Sequence, residues 1–234
     1  MQGILLVDKP AGWTSFDVVN YVRRIVATVE GKKPKNCKVG HSGTLDPFAT
    51  GLLILLIGKE YTRRASEFSK LDKTYEMTMR LGQTSTTGDP EGDITDVSDR
   101  VPTREEIAAA LEQFRGEIQQ IPPAFSAIKI NGVRAYKLAR DGKEVIIEAR
   151  PVTIHRLELV DYNYPEVKLV TDVSSGTYIR TLVEDLGAAL ETGAYTTQLR
   201  RTAIASKLVE GAVTATDLTD ETLDPAIDKY TIKD

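Results

Sequence analysis

The sequence predicts an α+β fold, and three observations carry that expectation. Apolar or β-branched runs of strand length are interspersed with helical repeats, and turn signals separate several of the strands. The 234 residues are 41% hydrophobic and 27% charged, the balance of an ordinary soluble chain forming one large or two small domains. A single cysteine, Cys37, excludes an internal disulfide, so the core must be built by burial and suits a reducing compartment.

Gly3-Ile4-Leu5-Leu6-Val7 reads as a short buried strand. Asp8-Lys9-Pro10-Ala11-Gly12-Trp13-Thr14-Ser15 is a turn-rich connection ending in a helix N-cap, either Thr14 or Ser15. Val18, Val22, Ile25, Val26 and Val29 then recur at helical spacing. The basic loop Gly31-Lys32-Lys33-Pro34-Lys35-Asn36-Cys37-Lys38 follows, and the apolar run from Leu52 to Ile57 predicts a second buried strand. Phe68 and Leu71 are expected to tether the next stretch to the core. Thr74 to Leu81 alternates strictly, with Tyr75, Met77, Met79 and Leu81 on one face.

Residues 82–99 read as a polar, acidic loop. Thr103 and Glu106 form a capping box for a helix carrying Ile107, Ala110, Leu111 and Phe114, which Gly116 ends. From Phe125 to Arg140, rings and bases interleave (Phe125, Lys129, Arg134, Tyr136, Lys137, Arg140) around an Asn131-Gly132 hairpin turn. That pattern suits RNA, because bases stack on rings while cations meet phosphates. Two β-branched runs, 152–162 and 166–173, are joined by Asn163-Tyr164-Pro165. Ile179, Leu182, Val183, Leu186 and Leu190 then repeat at helical spacing, which puts Tyr178 and Arg180 at a helix N-terminus. An arginine there opposes the helix dipole at roughly half a kcal/mol, so it serves either the solvent or another group. Residues 214–233 are acidic and weakly patterned.

The net charge is −4, but it is unevenly distributed. Residues 84–106 and 208–234 each carry −5, leaving +6 on the rest of the chain. Local basic patches, rather than the total, decide where phosphates dock. Two histidines, His41 and His155, and one cysteine supply no metal-ligand pattern, and no phosphate-binding glycine motif is present. No metal and no cofactor are therefore expected. The N-terminus lacks the layout of a signal peptide, and no apolar run approaches membrane-span length, so the expected location is cytoplasmic.

The stretch Gly40-His41-Ser42-Gly43-Thr44-Leu45-Asp46-Pro47 concentrates the candidate chemistry. A carboxylate precedes a proline, which pushes it toward extended backbone, and the predicted buried strand follows. Local chemistry leaves two readings of Asp46 open: a reactive carboxylate, or a turn residue bonding its own backbone. Tyr75 likewise reads as a functional ring or a packing ring.

The stretch Gly40-His41-Ser42-Gly43-Thr44-Leu45-Asp46-Pro47-Phe48-Ala49-Thr50-Gly51 closely resembles the signature of the TruB family of pseudouridine synthases. So do Asp8-Lys9-Pro10-Ala11-Gly12-Trp13-Thr14-Ser15, Asp72-Lys73-Thr74-Tyr75, Leu81-Gly82-Gln83, Ile121-Pro122-Pro123, Gly176-Thr177-Tyr178-Ile179-Arg180 and Leu199-Arg200-Arg201, in that order. The resemblance implies a pseudouridine synthase fold: a mixed, mostly antiparallel sheet flanked by helices and loops around a central active-site cleft. It implies conversion of uridine 55 in the tRNA T-loop to pseudouridine, an isomerisation that needs neither redox partner nor energy source.

The resemblance also implies roles. Asp46 matches the catalytic aspartate that attacks the target nucleotide. Arg180 matches the arginine paired with it, and Tyr75 the ring that stacks on the flipped uracil. Tyr178 and Leu199 match walls of the base pocket, His41 the histidine that helps hold the base out, and Asp89 a loop-ordering aspartate. A nucleophilic carboxylate must be ionised, and a nearby guanidinium favours that form. Extruding the base costs a few kcal/mol, part of which stacking returns.

On this reading residues 1–234 form one catalytic domain. A thumb-like RNA-binding insertion is expected at about 123–150 and a short acidic tail at about 208–234, with no PUA-type domain after it. The expected partner is the T-stem-loop of tRNA, bound by a monomer, with no membrane contact. A catalytically weak RNA-binding or tRNA-folding module on the same fold is the alternative. A glycoside-type hydrolase would need a second carboxylate at about 5–10 Å, which the sequence does not nominate. A guide-RNA-dependent relative would be expected to carry additional terminal regions.

Overall fold

The computed structural model describes residues 1–126, 129–130, 133–134 and 147–228. The chain divides into two compact units, Met1–Tyr75 with Leu199–Asp234, and Glu76–Gln198.

The first unit is built on the strand Gly3–Lys9, antiparallel to Thr50–Ile57 from Gly3↔Ile57 to Lys9↔Gly51. Thr50–Ile57 also takes Val39–Ser42 antiparallel and the Arg200-Arg201 segment in parallel. The period of two sorts the uninterrupted apolar run onto both faces. Leu53, Leu55 and Ile57 join Leu5, Val7 and the helix residues Val18, Val22 and Val26 in one core. Leu52, Ile54 and Leu56 pack with Ile4, Phe68, Ile204 and Val209 in another, against which Leu71 also lies. The helix Ser15–Val29 is capped by Thr14, whose hydroxyl accepts from Asp17 N–H while the Asp17 carboxylate accepts from Thr14 N–H. Ser15, the other candidate cap, is buried and serves elsewhere. Val29, at the last turn, is exposed.

The 208–228 stretch is better anchored than its acidity suggests. Val213–Thr214 pairs in parallel with Gly3–Lys9, and Ala215, Leu218, Leu223 and Ile227 are buried in the first core. Apolar residues spaced irregularly along short turns form no period for sequence reasoning to detect.

In the second unit the sheet order places Lys73–Leu81, from Glu76 on, beside Glu166–Val173, then Arg150–Asn163, then Gly116–Gln120. The last two pairings are antiparallel. Met77, Met79 and Leu81 are buried, as their alternation predicts, and Tyr75 is buried at the end of the first unit. The helix Arg104–Gln113 carries the predicted capping box at Thr103 and Glu106. It packs on Arg150–Asn163 and on the helix Ile179–Ala189. The expected loop at 82–99 contains a small hairpin, Gln83–Ser85 against Ile94–Asp96, held by local hydroxyl and carboxylate bonds.

The predicted thumb lies largely outside the described residues, including its Asn131-Gly132 turn and Tyr136, Lys137 and Arg140. The backbone at Lys129–Ile130 pairs antiparallel with Val133–Arg134, the pairing such a turn would join.

Candidate active site

In the first unit, Asp46 sits half-buried on a loop that is fastened on both sides. Before it, the buried Ser15 hydroxyl accepts from Leu45 N–H (2.8 Å) and donates to the Leu45 carbonyl (3.1 Å). After it, the Pro47 carbonyl accepts from Gly12 N–H (2.9 Å) and from the Lys9 ammonium (3.2 Å). Lys9 is 0% exposed, and its Nζ also donates to the carbonyls of Pro10 (2.9 Å) and Trp13 (2.7 Å). A buried ammonium is tolerable when its donors are met, and here they bind three loop carbonyls together. Ala49 N–H closes the turn on the Asp46 carbonyl.

The floor of the same loop is Arg201, 1% exposed, on the strand Ala194–Ile204. Its guanidinium donates to the carbonyls of Leu52 (2.7 Å) and Gly43 (3.1 Å), with the Tyr75 hydroxyl 3.5 Å away. Gly43 has φ +80, a conformation that favours glycine, and a side chain there would begin 3.7 Å from the guanidinium and 3.9 Å from Lys73. Lys73 is itself buried. Its ammonium donates to the carbonyls of Ser69 (2.6 Å) and Leu71, while desolvation and, secondarily, the Arg201 charge bring its pKa from 10.5 down to about 8. His41 lies on Val39–Ser42 opposite Leu55, and Leu199 is buried next to Arg200, which pairs with Asp8 at 2.7 Å.

In the second unit, Arg180 is the second residue of the helix Ile179–Ala189 and is buried, not solvated as one sequence reading allowed. Its guanidinium donates to the carbonyls of Thr87 (2.7 Å) and Phe125 (2.9 Å) and lies 3.5 Å from the buried Asp89 carboxylate. The other Asp89 oxygen accepts from the Thr87 hydroxyl (2.6 Å) and Glu91 N–H (3.0 Å), so one carboxylate orders its loop and faces the arginine. Gly88 has φ +71, a conformation that favours glycine, and a side chain there would start 2.7 Å from the Glu184 carboxylate and displace it. Burial pushes the Glu184 carboxyl up, against the lowering pull of Arg180. Tyr178 is held by its backbone. The Gln120 side chain accepts from its N–H (2.7 Å) and donates to its carbonyl (3.0 Å).

The predicted residues thus fall in two groups. Asp46, His41, Tyr75 and Leu199 belong to the first unit; Arg180, Tyr178 and Asp89 belong to the second. The supporting residues Lys9, Ser15, Arg201 and Gln120 escaped sequence reasoning as positioning groups. The signals available were slight: a lysine closing a mostly apolar strand, two adjacent hydroxyls where one cap suffices, and a pair of adjacent arginines within one strand. Among the described residues no cluster of three or more His, Cys, Asp or Glu side chains is placed to hold a metal, and no helix is long and apolar enough to cross a membrane.

Residues 30–179 match the N-terminal domain of TruB family pseudouridylate synthases, and residues 180–230 match the tRNA pseudouridylate synthase B C-terminal domain. A tRNA pseudouridine synthase B of Arthrobacter sp. (strain FB24) is 45% identical over 228 residues, 94% of this chain and 72% of that protein. Its namesake in Mycobacterium sp. (strain KMS) is 46% identical over 224 residues, 94% of this chain and 72% of that protein. Among solved structures, the archaeal box H/ACA sRNP Nop10-Cbf5 complex has a chain with TM-score 0.64 and 29% identity, matched over 93% of this chain. A Cbf5-Nop10-Gar1 complex gives TM-score 0.67 and 28% identity over 97% of this chain. This chain spans 53% and 57% of those two chains.

Proposed function

The chain belongs to the TruB family of pseudouridylate synthases, and we propose that it converts uridine 55 in the T-loop of tRNA to pseudouridine with Asp46 as the nucleophile. The observation that supports this most directly is the fastening of the Asp46 loop. Ser15 bonds the residue before the carboxylate, and Lys9 and Gly12 bond the residue after it. A turn aspartate needs no such bracing. A group that must meet one carbon of a bound nucleotide does, because a nucleophile misplaced by about 1 Å loses much of its advantage.

In this reading the bound uridine is extruded and stacks on Tyr75, with Tyr178 and Leu199 lining its pocket and His41 helping to hold it out. Asp46 attacks the target nucleotide, and Arg180 serves as partner to its carboxylate. The glycosidic bond from C1′ to N1 breaks and a bond from C1′ to C5 forms. The C5 hydrogen leaves as a proton and N1 acquires one, so composition and oxidation state are unchanged. Attack at uracil C6 and attack at ribose C1′ lead to the same product. Asp89 keeps Arg180 in place from within the second unit.

The test uses tRNA tritiated at uracil C5. The wild-type protein is expected to release tritium and leave pseudouridine at position 55. Asp46→Asn is expected to lose turnover by about 10⁴-fold or more while binding tRNA nearly as well. Normal turnover in that variant would refute the nucleophile assignment. Tight tRNA binding without release by the wild type would instead favour the RNA-binding module.

A further inference from the structure

We propose that a basic groove on the first unit, outside the residues assigned to catalysis, binds the phosphodiester backbone of the substrate RNA. The proposal rests on the tRNA reading above and adds a second point of attachment to it.

The groove has a volume of about 360 Å³ and is lined by Arg23, Lys35, Cys37, Lys38, Gly40 and Thr62, among others. That is room for a phosphodiester with its flanking riboses. None of its lining residues is acidic. The nearest acid in the preceding segment, Glu30, is engaged by the N-terminal ammonium and Lys32. Lys35 and Lys38 are exposed. Arg24, Lys32 and Lys33 add positive charge in the same stretch of chain, and the helix that carries Thr62 brings Lys59 and Arg63 against one acid, Glu60, so positive charge predominates around the concave surface.

Arg23 is pre-set. Its guanidinium donates to the Asn20 side chain (2.7 Å) and to the Val39 carbonyl (3.0 Å), and it lies 5.7 Å from the centre of the Phe16 ring. Two bonds use two of five donors and fix the plane, so the ordering cost is met before an anion arrives. Phe16, 58% exposed, leaves its ring open beside that guanidinium. Through Gly40 the groove lies next in the chain to His41. A nucleic acid whose base is handled at His41 would carry neighbouring phosphates past this wall. The three cations come from a helix, a 3₁₀ turn and the residue before a strand, a spread along the groove wall that suits the repeating charge of a polyanion.

The test is binding of a fluorescent T-stem-loop hairpin and of whole tRNA from about 50 to 200 mM salt, for wild type and Lys35→Gln/Lys38→Gln. Both lysines are exposed, so the variant is expected to fold and to keep its kcat at saturating RNA. Affinity is expected to fall about tenfold at the low-salt end. The slope of log K against log salt is expected to shrink by about 1 to 2, the signature of two lost phosphate contacts. Unchanged affinity and slope would overturn the groove, as would weaker binding with an unchanged slope. So would a variant that loses binding of ATP but not of RNA, which would mark a nucleotide site instead. A wild type that binds RNA with the full salt slope, sensitive to the two lysines, yet makes no pseudouridine would sink the functional reading and leave the groove standing.

Discussion

Lys9 and Arg201 in the first unit are buried cations that hold a backbone loop still, whereas in the second unit backbone carbonyls and a carboxylate hold a buried cation still. The first arrangement displays Asp46 and the second positions Arg180. The energetics differ accordingly. A cation on neutral carbonyls leaves hydrogen-bond acceptors unmet when it is removed. A cation facing a buried carboxylate leaves an uncompensated charge, which costs more. The lesson is that a short motif advertises the side chain that is displayed, while the groups that immobilise it are dispersed through the chain.

Removing each cation tests that contrast most strongly. Arg180→Met is expected to destabilise the protein by about 3–5 kcal/mol, because Asp89 is stranded in the interior. Arg201→Met, which leaves the Gly43 and Leu52 carbonyls unmet, is expected to cost less, about 2–3 kcal/mol. Urea titrations read both, and equal losses would dissolve the distinction between the units.

A finer comparison lies within two adjacent residues. Thr14→Ala removes a helix cap and Ser15→Ala removes the fastening of Leu45, each at about 1 kcal/mol. Only Ser15→Ala is expected to lower kcat, by about tenfold, since only it loosens the Asp46 loop. Matching kcat values for the two variants would show that the bracing has no catalytic role.

A last comparison is in pH. With Lys73 at about 8 in the folded state against 10.5 ordinarily, both states are protonated below pH 8 and the penalty of burying the charge is complete. Between pH 8 and 10.5 the folded state holds fewer protons than the unfolded one, so this residue makes stability rise with pH. The difference in urea midpoint between wild type and Lys73→Gln should therefore grow in favour of the wild type across that window. A difference that stays flat would mean that Lys73 is not desolvated as its contacts indicate.

Much of this molecule could be read before folding. The period of two in 74–81 named a buried face, the capping box at Thr103 held, and the apolar run from Leu52 to Ile57 became the central strand of its unit. Those features are local, set by spacing along one element. The 208–228 stretch was underestimated because its anchors, Val209, Ala215, Leu218, Leu223 and Ile227, obey no period and are buried only by what they meet.

The sequence by itself determined the family, the alternation of strands and helices, and which carboxylate, rings and arginine are candidates, because motif order and side-chain period are properties of the chain. Only the tertiary structure decided that Ser15 fastens a loop while Thr14 caps the helix, that Arg180 is buried against Asp89, and that Lys9 and Arg201 brace the Asp46 loop. The physical reason is distance along the chain. Lys9 reaches Pro47 and Arg201 reaches Gly43 only after the strands between them have paired, and a charge finds its carbonyls by burial, which no local pattern records.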